Sequence, residues 1–229
     1  MASSDKLKIL CLHGYRQNAD TFRGKTGSLR KILKKFIEPV YITAPNIVKP
    51  LVDGSPDDQR GWWFSTVNES FSAKETSNVD PGFQESLSCI AEAVQKHGPF
   101  DGILGFSQGA SMVGMVCALM EQGDSRFKFD FAIMIAAFRS HSTQHDVCYS
   151  RTIQLPCLHV FGDTDQVIPK EMSEEHLQYF ENNTQLNHSG GHFVPASSAQ
   201  KGVYTEFLQI QLRQKEQLAN YREDVMMVS

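Results

Sequence analysis

The residue with the clearest chemical context is Ser107, which lies in Gly105-Phe106-Ser107-Gln108-Gly109. This matches G-x-S-x-G, and it falls between a predicted strand (Phe100 to Phe106) and a predicted helix (Ser107 to Met120). A sharp strand-to-helix turn would lift the serine hydroxyl clear of the sheet. The residues two before and two after would then need to lack side chains, because strand and helix crowd together there. The helix N-terminus beside the serine favours developing negative charge. The chemistry such a serine can do is nucleophilic attack on an acyl carbon.

A neutral serine needs a base, and the base needs an acid to hold its tautomer. Of eight histidines, His192 lies in His188-Ser189-Gly190-Gly191-His192-Phe193-Val194-Pro195, a turn between the last predicted strand and the last predicted helix. His188 and His192 have metal-ligand spacing, but only a helix would put both rings on one face. Gly190-Gly191 argues against a helix, so no metal is expected. His141 and His145 share that spacing in a polar loop and are expected to be solvated. His159, inside a strand, is expected to be a core residue, and His13, at the end of the first strand, to be structural or substrate-facing. The acid is sought in Gly162-Asp163-Thr164-Asp165. Asp165 stands farther past its strand and can turn toward His192, whereas Asp163 would tie down the turn. The expected catalytic set is Ser107, Asp165 and His192. Its chain order matches α/β-hydrolases and neither chymotrypsin nor subtilisin. The oxyanion donors are expected from the backbone N–H groups of Gln108 and Tyr15.

These residues need a frame. Short apolar runs at Leu7 to Leu12, Glu38 to Thr43, Phe100 to Phe106, Phe129 to Ala136, Leu155 to Phe161 and Thr184 to His188 alternate with helical stretches at Phe22 to Phe36, Phe83 to His97, Ser107 to Met120, Lys170 to Phe180 and Ser197 to Gln217. That alternation predicts an α/β fold, a mostly parallel sheet covered by helices on both faces. In such folds the catalytic groups gather at the carboxyl ends of the strands. The segment from Asn46 to Asp80 is rich in Pro, Gly, Asp, Asn and Ser and reads as a long surface excursion. Its apolar island, Trp62-Trp63-Phe64, is the expected substrate-binding wall, or else an anchor for the loop.

The 229 residues suit a single domain over 1–229, with a core of about 7–212 and a polar C-terminal extension over 213–229. A net charge of −4 gives no reason to expect nucleic acid. The most apolar stretch, Phe129 to Phe138, is interrupted by Asp130 and falls short of the about 20 residues that span a membrane. Five cysteines without a CxxC pair, and an N-terminus with no signal-like apolar run, lead to an expected cytoplasmic location that could extend to the nucleus. Nothing in the sequence sets an oligomeric state.

Five segments, Leu10 to Gln17, Arg60 to Phe64, Gly102 to Ala110, His159 to Pro169 and His188 to Pro195, together resemble the FSH-type serine hydrolases, over about Leu7 to Leu212. The resemblance implies a small α/β-hydrolase fold with no large lid domain and no cofactor. The implied activity is hydrolysis of a small-molecule acyl ester, with linear medium-to-long chains, by an acyl-enzyme mechanism on Ser107, Asp165 and His192. Fungal relatives act as acyl-thioesterases, so a thioesterase with the same triad is the alternative. A non-catalytic binding protein on the same fold is less favoured, because a binder has no need of all three groups.

Overall fold

In a computed structural model, residues 6–50 and 58–228 are described, with side chains to residue 221. The first strand, β1 (Leu7–Leu12), leads through a turn to two short helices, α1 (Ala19–Lys25) and α2 (Gly27–Leu33), and back to β2 (Ile37–Ile42). One helix was expected over Phe22 to Phe36. It starts earlier because Asn18 and Thr21 form a reciprocal capping box. It breaks at Thr26, whose hydroxyl donates to the Phe22 carbonyl and meets the Tyr41 hydroxyl, between the weak helix formers Gly24 and Gly27.

The Asn46 to Asp80 excursion contains a two-stranded antiparallel ladder, β3 (Asn46–Ile47) and β4 (Arg60–Gly61). Residues 51–57 of the excursion lie outside the described residues. Helix α3 (Phe83–His97) follows and buries Phe83, Leu87 and Ile90 along one face, as its periodicity predicts. Then come β5 (Gly102–Phe106), α4 (Gln108–Glu121), β6 (Phe131–Ile135), a short 3₁₀ helix (Thr143–Tyr149), β7 (Cys157–Gly162), α5 (Lys170–Leu177), β8 (Asn183–His188) and α6 (Ser198–Val228). The last helix continues well past Gln217, running through the expected C-terminal extension to Val228.

The main sheet has the order β2-β1-β5-β6-β7-β8, and every pair in it is parallel. The order reverses between β1 and β5. This is the switch point where the crevice at the strand carboxyl ends opens in α/β sheets. Strands β5 and β6 are buried at every residue and α4 is buried along most of its length, which is why these segments read as continuous apolar runs.

Candidate active site

Each chemical group hangs from a strand end at that crevice. Ser107 directly follows β5 and has φ 54° and ψ −121°, a conformation a side-chain-bearing residue rarely adopts. The neighbouring glycines make it reachable. A Cβ on Gly105 would lie 2.3 Å from the Gly109 carbonyl oxygen, and one on Gly109 would lie 2.3 Å from the carbonyl oxygen of His13. The start of α4 is thus pressed onto the turn after β1, so the two turns expected to supply oxyanion donors are in backbone contact. Among the described residues no hydrogen bond takes up the N–H of Tyr15 or Gln108.

Asp165 lies three residues beyond β7, and His192 lies in the turn after β8. Ser107 Oγ is 3.0 Å from His192 Nε2, and His192 Nδ1 is 2.7 Å from Asp165 Oδ2. The other carboxylate oxygen of Asp165 accepts from the backbone N–H groups of Val167 (2.9 Å) and Ile168 (2.8 Å). Asp165 can only accept when ionised, so Nδ1 carries the imidazole proton and Nε2 is left to accept from the serine hydroxyl. Burial opposes ionisation of Asp165. The hydrogen bonds from His192, Ile168 and Val167 outweigh it and hold the carboxyl below its usual range. The His192 ring rests on Phe106, with centroids 4.8 Å apart. Asp163 points elsewhere: its carboxylate accepts from Lys170 and Asn187, which pins the turn.

Several expected site residues take other places. The His13 side chain is fully buried, with Nε2 accepting from the Ala44 N–H and Nδ1 donating to the Gly14 carbonyl. Burial holds it down to about 4, so the ring is neutral, and it does not line the cleft at Ser107. Trp62, Trp63 and Phe64, the expected substrate-binding wall, are buried too, and none of them lines the cleft at Ser107. The Trp62 indole N–H donates to the His13 carbonyl, and Trp63 packs edge-on against Phe71. They anchor the excursion. His145, expected to be solvated, is buried against Phe83, 2.7 Å from Ser140 Oγ and 3.2 Å from Asp80. His159 is in the core, as expected, with Nε2 3.2 Å from Nδ1 of buried His176.

The cleft that does open onto Ser107 and His192 encloses about 480 Å³, within the range of small-molecule sites. Its apolar walls come from Tyr15, Phe71, Phe106, Val167 and Ile168. Phe71 was missed by sequence reasoning; its only signal was an isolated aromatic in a Ser- and Asn-rich stretch.

A parallel sheet with this switch point and this serine turn makes the protein an α/β-hydrolase, and among the described residues no large lid covers the cleft. The comparisons narrow that class. Residues 1–204 match the family model described as serine hydrolase (FSH1). The esterase OVCA2 of Xenopus tropicalis is 49% identical over 212 residues, covering 88% of this chain and 92% of that protein. Human esterase OVCA2 is 43% identical, with 91% and 98% covered, and the Drosophila melanogaster esterase CG5412 is 43% identical, with 92% and 76% covered. Among solved structures, acyl-protein thioesterase 2 of Zea mays has a TM-score of 0.64 at 18% identity, covering 92% of this chain and 96% of that one. Esterase PE8 has a TM-score of 0.61 at 17% identity, with 89% and 91% covered, and both share the fold. The chain belongs to the FSH1 serine hydrolase family and is an enzyme of the hydrolase class. Among the described residues, no helix is long and apolar enough to cross a membrane.

Proposed function

We propose that the protein is a serine esterase that cleaves carboxylic esters of linear, medium-to-long acyl chains, with Ser107 as nucleophile, His192 as base and Asp165 as the group orienting it. The observation that carries this reading is the continuous contact from Ser107 Oγ through His192 to Asp165, at 3.0 and 2.7 Å. His192 takes the Ser107 proton as Oγ adds to the ester carbonyl. The Tyr15 and Gln108 N–H groups hold the oxyanion. His192 then passes the proton to the leaving alcohol; it next draws a proton from water as the water attacks the acyl-enzyme, and returns it to Ser107 Oγ as the acyl–oxygen bond breaks and the acid leaves. No cofactor enters the scheme. The apolar walls around Phe71, Phe106 and Val167 support a preference for alkyl chains.

Five unpaired cysteines, four of them buried, support a cytoplasmic location that could extend to the nucleus. The reading treats the chain as one catalytic domain and assigns it no nucleic-acid partner.

The test is labelling by a fluorophosphonate, read by intact mass, alongside a rate profile over linear p-nitrophenyl esters. A single adduct on Ser107 is expected, lost in Ser107→Ala, with rates rising toward longer chains. The same residues would cleave a thioester, so an acyl-CoA and its matched oxygen ester are compared in the same assay. Folded protein that takes no adduct overturns the reading.

A further inference from the structure

The chain carries a net charge of −4, yet the described residues lining the catalytic cleft include two lysines, Lys25 and Lys74, and no carboxylate. Lys74 Nζ reaches across to the Gln166 carbonyl, 3.3 Å away, so it spans two walls of the cleft. Lys25 sits in the last turn of α1, and among the described residues neither lysine forms an ion pair. The neighbouring catalytic carboxylate forms no ion pair with either lysine. Asp165 is buried behind His192, with both oxygens engaged. Hydrolysis of a neutral ester calls for neither ammonium group. Two exposed cations at the cleft, without an ion pair among the described residues and beside apolar walls, favour anions there.

Building on the esterase reading, we infer that the cleft selects esters bearing an anionic group, carboxylate or phosphate, away from the scissile bond. Lys25 and Lys74 recognise that group while the alkyl chain packs on Phe71, Phe106 and Val167. The anion can lie on the alcohol side or at the far end of the acyl chain, and the two placements are separable.

The experiment uses two matched pairs, each below its aggregation concentration. The first is decanoyl glycerol phosphate against monodecanoylglycerol. The second is the mono-p-nitrophenyl ester of a linear dicarboxylic acid against the methyl-terminated ester of equal length. The quantity read is the ratio of kcat/KM, anionic over neutral. Wild type is expected to give a ratio above one in at least one pair. That ratio should fall about 3- to 20-fold in the Lys25→Ala/Lys74→Ala double variant, as loss of two exposed charge contacts implies. Raising salt from about 0.05 to 0.5 M should lower it as well. Lys25→Arg/Lys74→Arg is expected to retain the ratio, and Lys128→Ala, which changes a charge on another surface, to leave it in place. A ratio unmoved by the double variant in both pairs, or moved equally by Lys128→Ala, overturns the inference. Turnover of neutral esters with an unmoved ratio leaves the esterase reading intact. Failure to turn over any ester sinks both.

Discussion

Gln108 accepts a 2.8 Å hydrogen bond from the Trp62 backbone N–H, and its amide donates one of 2.7 Å to the Trp63 carbonyl. The residue that follows the proposed nucleophile thus mimics a strand partner for a loop 46 residues away, and that loop carries the rim of the cleft. Asn46 adds a second clasp through the Gly61 and Trp62 carbonyls, and Ser86 donates to the Trp62 carbonyl from α3. Gln108→Ala strips both partners and leaves a buried N–H and a buried carbonyl unsatisfied, a cost of about 2–4 kcal/mol. Gln108→Glu keeps the acceptor but turns a carboxylate oxygen toward the Trp63 carbonyl in a fully buried site, so it adds repulsion and a buried charge to the lost donor. Urea unfolding at neutral pH should place both variants below the wild type, and Gln108→Glu should regain stability as pH falls and its carboxyl protonates. The Gln108 backbone N–H survives both changes. Any loss of kcat in the variants therefore measures loop misplacement rather than deletion of an oxyanion donor. Equal stability in all three would show that the clasp carries no energy.

The candidate catalytic residues were legible because each is announced locally. The glycines around Ser107, the double aspartate after β7 and the glycine pair before His192 are turn chemistry, written within a few residues of the group they position. The cleft walls were not legible, because their placement depends on distant partners. Trp63 and Phe71 have similar apolar character and lie in the same aperiodic segment, yet one is buried by Gln108, Phe138 and His145 and the other faces the cleft. His145 looked like a surface residue in a polar loop, and its burial depends on Asp80, Phe83 and Trp63 arriving from far along the chain. The helix break at Thr26 is announced by Gly24 and Gly27, a propensity signal lying inside the single helical stretch expected over Phe22 to Phe36.

Phe71 and Trp63 should separate cleanly in mutagenesis. Trp63 is in the core, so Trp63→Ala creates a cavity and should cost about 3–5 kcal/mol, with the midpoint of thermal unfolding falling accordingly. Phe71 lines the cleft and is only half-buried. Phe71→Ala should cost markedly less in stability, and should raise KM for long-chain esters about 10-fold or more while sparing short ones, as the loss of several alkyl contacts implies. Melting curves and a chain-length series on both variants check this. A chain-length effect in Trp63→Ala at temperatures where it is fully folded, with none in Phe71→Ala, would return the tryptophan to the binding surface.

Stability should fall in mild acid before carboxylates begin to protonate. Burial holds His13 down to about 4 and His176 down to about 3, and burial together with the neighbouring His176 holds His159 well below its usual value. All three have folded pKa values depressed below the unfolded value of 6.5. Above that value neither state binds the proton, and their neutral burial carries no pH-dependent cost. Below it the unfolded chain takes up protons that the folded chain cannot, so stability drops as pH falls from about 6.5 toward 4, at up to about 1.4 kcal/mol per pH unit for each histidine. Between pH 7.5 and pH 5 the urea-derived unfolding free energy should decrease by about 2–5 kcal/mol. His176→Gln removes one titrating group and should reduce that decrease by up to about 2 kcal/mol, whatever it does to stability at neutral pH. Calorimetric unfolding at pH 5 in two buffers of different ionisation enthalpy reads the same protons directly and should show net uptake. Equal stability at the two pH values, with no proton uptake, would mean that these imidazoles are hydrated enough to charge in the folded protein.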